Sequence, residues 1–143
     1  MACEGRAPYA AAGPERVLGS DTLDHLRAAV VALTAQVPDR ADGEAVASWL
    51  AGLRGVEGAV AGLRAALVAC AQRSRAEQPG GHASTASLLR EQLGLSAQEA
   101  GRQDALARDL RQLPGTRAAL QAGDLGAEQA QAIGQAARRG VLG

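Results

Sequence analysis

VASWLAGLRGVEGAVAGLRAALVAC, residues 46–70, is the stretch that decides the fold. Val46, Trp49, Leu53, Val56, Val60, Leu63, Leu67 and Cys70 follow one another in steps of three and four. That is a 3.5-residue period, the signature of a helix whose apolar seam is meant for another helix, in cis or in trans. Val46, Leu53, Val60 and Leu67 take one seam position, and Trp49, Val56, Leu63 and Cys70 take the other. The same span holds Gly52, Gly55, Gly58 and Gly62, each costing a helix about 0.8–1 kcal/mol relative to alanine. All four fall off the seam. Gly55, Gly58 and Gly62 share a second face of small residues, which can admit a close neighbour. The helix is therefore expected to need packing on more than one side. The pattern suits an ordinary long core helix, or the seam of a coiled-coil dimer.

Outward from this helix the chain is punctuated for more helices. Upstream, Leu23, Leu26, Val30, Leu33 and Val37 form one stripe, predicting a helix over about 22–36. Asp21 is a candidate cap with Asp24 in the first turn, and Pro38 provides the stop. Asp42 is a candidate cap for the long helix. Residues 1–20, rich in Gly, Pro and Ala without a period, read as a disordered lead-in. Downstream, Pro79-Gly80-Gly81 ends the long helix, so residues 79–84 read as a break. A helix over 85–93 follows, closed by Gly94. Ser96 and Glu99 then form an S-x-x-E capping box, opening a helix that runs to about Gln112 before Leu113-Pro114. Shorter helices are predicted over 116–122 and 127–138. The expected division is a two-helix segment over 21–78 and a short-helix bundle over 85–143.

Composition supports an all-α class. Alanine occupies 34 of the 143 positions and leucine 18, with one isoleucine, no phenylalanine, no lysine and no asparagine. Few β-branched or aromatic residues argue against a β sandwich or barrel, whereas Ala, Leu and Arg favour helix. The bulky apolar set is small, so the core should be thin and dependent on close packing. Fifteen arginines balance fifteen acids, leaving no global basic field for nucleic acid or an anionic membrane. The balance tilts along the chain. Residues 1–72 hold six arginines and eight acids; residues 73–143 hold nine and seven. No apolar run approaches a membrane span. The first ten residues lack the apolar core of a signal peptide. Cys3 and Cys70 do not make a disulfide framework. A cytoplasmic protein is expected.

Catalytic chemistry is poorly provided for. The histidines are His25 and His82, with no pair at metal-ligand spacing, no CxxC and no HExxH. The missing lysine removes a P-loop and any Schiff-base mechanism. No catalytic, metal or cofactor residue is assigned, and no small-molecule substrate is evident. One constellation carries a binding hypothesis. Leu89, Leu93, Gly94, Leu95 and Ala100 fit the apolar and turn positions of a helix-turn-helix. Gln98, Arg102 and Gln103, with Glu99, would then face a major groove. Arg90 stands where a small residue usually lets the two helices touch. The competing account is a structural hairpin with a solvated charged face.

The string from Ser84 to Arg139 resembles the family called domain of unknown function 222, the thirteen-E-twelve repeat family. The resemblance rests on LLREQLGLS (88–96), on the Ala100–Leu110 run, on Leu113-Pro114, and on Ala119-Leu120 with Ala122-Gly123-Asp124-Leu125 before Gln129-Ala130. With the long helix before the Pro-Gly-Gly break, it covers roughly residues 45–140. It implies an actinobacterial, mostly helical region that usually precedes a C-terminal HNH endonuclease module. Such a module needs histidines for metal and water and usually an asparagine; this chain has no asparagine and no histidine after His82. The expectation is thus an N-terminal helical portion, incomplete as a domain and non-catalytic by itself. A divalent metal enters only through a downstream HNH module. The expected partners are DNA, a second copy of the chain or its missing C-terminal part. The alternative is a self-association module with no nucleic-acid role.

Overall fold

A computed structural model describes residues 18–77 and 84–140. These form six α-helices and no strand: α1 (Ser20–Gln36), α2 (Gly43–Glu77), α3 (Thr85–Leu93), α4 (Ala97–Arg111), α5 (Pro114–Gln121) and α6 (Ala127–Arg138). The all-α class holds, with one long helix and a series of short ones. The lead-in expected over 1–20 lies outside the described residues as far as residue 17, and the Pro/Gly break expected over 79–84 lies outside them as far as residue 83. The chain divides into two compact units, Met1–Asp42 and Gly43–Gly143. The long helix therefore belongs with the short helices, not with α1 as the sequence division had it.

The first unit presents α1. Gly19 takes the N-cap position without a side-chain bond, and Asp21 sits inside the first turn, so the expected Asp21 cap is replaced by a backbone start. Its carboxylate still lies at the positive end of the helix dipole. Val37 is extended, as a residue before proline must be. The stripe of Leu23, Leu26, Val30, Leu33 and Val37 is exposed.

The second unit is arranged around α4, which packs against α2, α3, α5 and α6. Its helix ends follow the punctuation of the sequence. Ser84 accepts from the Ser87 amide at 3.0 Å and Ser96 from the Glu99 amide at 3.1 Å. Gly94 closes α3 in the left-handed region at φ 66°, its N–H donating to the Arg90 carbonyl at 3.0 Å, a conformation only glycine takes without strain. Pro114 opens α5 at its first turn, two residues before the expected start. At α6 the Gln129 side chain reaches back to accept from the Gly126 amide at 2.8 Å. Replacing Ser96 by alanine should cost about 1 kcal/mol of unfolding free energy, readable as a lowered midpoint in urea with unchanged slope.

Alanine and leucine share the core. Ala61 and Ala65 of α2, Leu106 and Leu110 of α4, Leu120 of α5 and Ala130 of α6 form one cluster. Val68, Leu89, Ala100 and Ala107 form another. Leu106 and Leu120, both in the first cluster, are the largest fully buried side chains. The α2 glycines explain how so small a core closes. A Cβ on Gly58 would fall on the Leu125 carbonyl oxygen, and one on Gly62 would lie 2.9 Å from the Gln121 Cα. One on Gly123, itself at φ 83°, would lie 2.5 Å from the Gly55 carbonyl oxygen. The end of α5 and the turn after it thus rest directly on the α2 backbone. The small-residue face, which the sequence marked as able to admit a close neighbour, is the packing face.

Candidate functional site

Since the glycine face of α2 turns inward, the heptad seam turns out. Val46, Trp49, Leu53, Val56, Val60 and Leu67 are all exposed, Trp49 at 52%. Cys70 is an exposed free thiol and Leu63 is half-buried. The two faces are set by helix geometry. Gly55, Gly58, Gly62 and Ala65 stand on the side of the heptad away from the seam positions. Eight seam residues over 46–70 thereby form a continuous apolar stripe on the surface of this unit. Scattered exposed apolar residues are ordinary, but a contiguous stripe of them marks an interaction surface. The ordinary-core-helix reading does not describe these residues; the seam contributes nothing to either buried cluster.

The helix-turn-helix-like hairpin forms, with α3 and α4 packed through Leu89 and Ala100 and half-buried Leu95 beside them. Arg90 points into solvent, so its bulk does not hold the helices apart. The three proposed contact residues are not all on the surface. Gln98 and Arg102 are exposed, but Gln103 is buried at 5%, with its amide donating to Glu99 Oε2 at 2.8 Å. Its Oε1 is buried without a partner. Arg102 pairs with Glu99 at 3.3 Å. Gln98 and Arg102 instead border a groove of about 270 Å³ between α4 and α6, with Gln131, Gln135 and Arg138 on its far side.

Sequence reasoning missed a polar bridge between α2 and α4. The Gln72 amide donates to the Asp104 carbonyl at 3.0 Å and to its carboxylate at 2.8 Å, while Arg111 donates to Gln72 Oε1 at 2.9 Å. Arg108 also pairs with Asp104, and Arg138 with Asp109 at 3.1 Å. Gln72 lies 32 residues from Asp104 and 39 from Arg111 in the chain, beyond any local pattern. Among the described residues no group of three His, Cys, Asp or Glu side chains could hold a metal. No helix among the described residues is long and apolar enough to cross a membrane.

These features define a small all-helical domain whose polar side chains mainly brace helices and whose most prominent free surface is apolar. A family model described as Domain of unknown function (DUF222) matches residues 47–141, well over half of the chain and nearly the whole of the second unit. The chain belongs to this family. No curated protein and no solved structure matches it.

Proposed function

We propose that this chain is the non-catalytic helical module of an HNH-endonuclease-type protein, and that it works by pairing α2 with α2 of a second copy. The HNH context follows from the sequence resemblance; the metal and water histidines would have to come from chain outside residues 1–143. The observation that carries the pairing is the exposed seam on the side of α2 opposite its packed glycines. An in-register parallel pair matches all eight seam layers. It sets Glu57 against the partner's Gly52 and Arg64 against the partner's Ala59, so no like charges meet across the flanks. An antiparallel pair that kept all eight layers would set Glu57 against the partner's Glu57, which is unfavourable.

In the parallel pair Cys70 faces the partner's Cys70. In a Cys3→Ser background, mild oxidation should give a covalent dimer, suppressed by adding Leu53→Glu. A thiol that reacts with maleimide yet gives no covalent dimer would contradict this pairing. The purified chain with divalent metals should leave plasmid DNA intact, and metal-dependent cleavage would contradict a non-catalytic role.

A second reading, assistance in DNA engagement, is favoured by the α3–Gly94–α4 hairpin with Gln98 and Arg102 exposed on its outer face. It predicts salt-sensitive retardation of duplex DNA in a gel. Absence of a shift at low salt would remove it.

A further inference from the structure

Where α2, α4 and α5 meet, they enclose an open groove of about 310 Å³. Arg73 of α2, Arg111 of α4 and Arg117 of α5 stand along it, and no acidic residue lines it. Its floor is apolar, from Ala65, Ala69 and Ala107. None of the three guanidinium groups pairs with a carboxylate among the described residues; Arg111 bonds only the neutral Gln72 amide oxygen. Asp104, which Gln72 links to Arg111, is already paired with Arg108. The groove is thus a local excess of three positive charges on a protein whose formal net charge is zero. Arginine left without a carboxylate around a concave surface is the residue suited to phosphate, which it can hold through two parallel N–H donors.

We infer that this groove binds the phosphodiester backbone of a nucleic acid. A small free anion would need donors enclosing it, and the alanine floor supplies none. An extended backbone lays its sugars on that apolar floor and its phosphates against the three arginines on the rim. The inference rests on the second functional reading, that the module engages DNA, but moves the phosphate contacts from the hairpin to the groove. It is independent of helix pairing.

The test uses the full chain and a labelled 20-mer DNA duplex, titrated across a salt series. Three phosphate contacts predict a slope of log K against log salt of about −2.7. Replacing Arg73, Arg111 and Arg117 together by glutamine should weaken binding about tenfold or more at low salt and flatten the slope, with helicity by circular dichroism unchanged. Replacing the same three by lysine should retain most of the slope. If the wild type binds DNA and the glutamine variant binds equally with the same slope, the groove is overturned while the DNA reading stands. If the wild type does not bind at low salt, both are overturned. If tripolyphosphate displaces the duplex and itself binds more tightly at the three arginines, the backbone assignment is overturned in favour of a free polyphosphate.

Discussion

Leu106→Ala should lower the unfolding free energy by about 2–5 kcal/mol, lost transfer energy and residual cavity together. Leu106 is 1% exposed and sits in α4, between Ala61 and Ala65 of α2, Leu120 of α5 and Ala130 of α6. Its neighbours explain why the loss should approach the upper end. Alanines cannot swing into a void, and the contacts around them are held by glycine-to-backbone approaches that leave little room to collapse. A domain of this size has only about 5–15 kcal/mol in total, so the variant should show a clear fall in its urea midpoint. A loss under about 1 kcal/mol would mean that α4 is not the centre of the packed unit.

The second large effect is a contrast of sign between two glycines in one helix. Gly58→Ala should destabilise by about 1–3 kcal/mol despite alanine's better helix propensity, since the new methyl meets a backbone carbonyl that cannot rotate away. Gly52→Ala, in the same helix with open space around it, should stabilise by about 0.5–1 kcal/mol. Thermal unfolding of both variants measures the pair. If both substitutions stabilise, the close approach of the α5 turn to α2 is wrong. If both destabilise alike, propensity and open space have been misjudged at Gly52.

Much of this architecture was legible because it is local. The cap at Ser96, the left-handed Gly94 and the stop at Pro38 depend on residues within a few positions, where side-chain and backbone chemistry decide. The two faces of α2 were legible too, since a helix of known period separates Val46–Cys70 from Gly55, Gly58 and Gly62. Which face would meet the short helices was not. Large apolar residues suggest a core, but here the core formed on the small-residue side, where backbones approach most closely. Gln103 shows the same limit. Its position on the hairpin fits a groove-facing residue, and only the neighbouring helices turn that side of α4 inward. The groove arginines come from helices up to 44 residues apart (Arg73 to Arg117). The sequence carried only a faint trace of them, the two-charge positive tilt after residue 72.

On the proposed pairing α2 has two working faces, glycines inward for its own domain and the heptad seam outward for a second copy. Sedimentation equilibrium over a concentration series of the intact chain tests it most directly. A monomer–dimer equilibrium is expected, which Leu53→Glu shifts to monomer while circular dichroism stays unchanged. A folded wild type that remains monomeric throughout the series, or a Leu53→Glu variant that dimerises as well as the wild type, would contradict it.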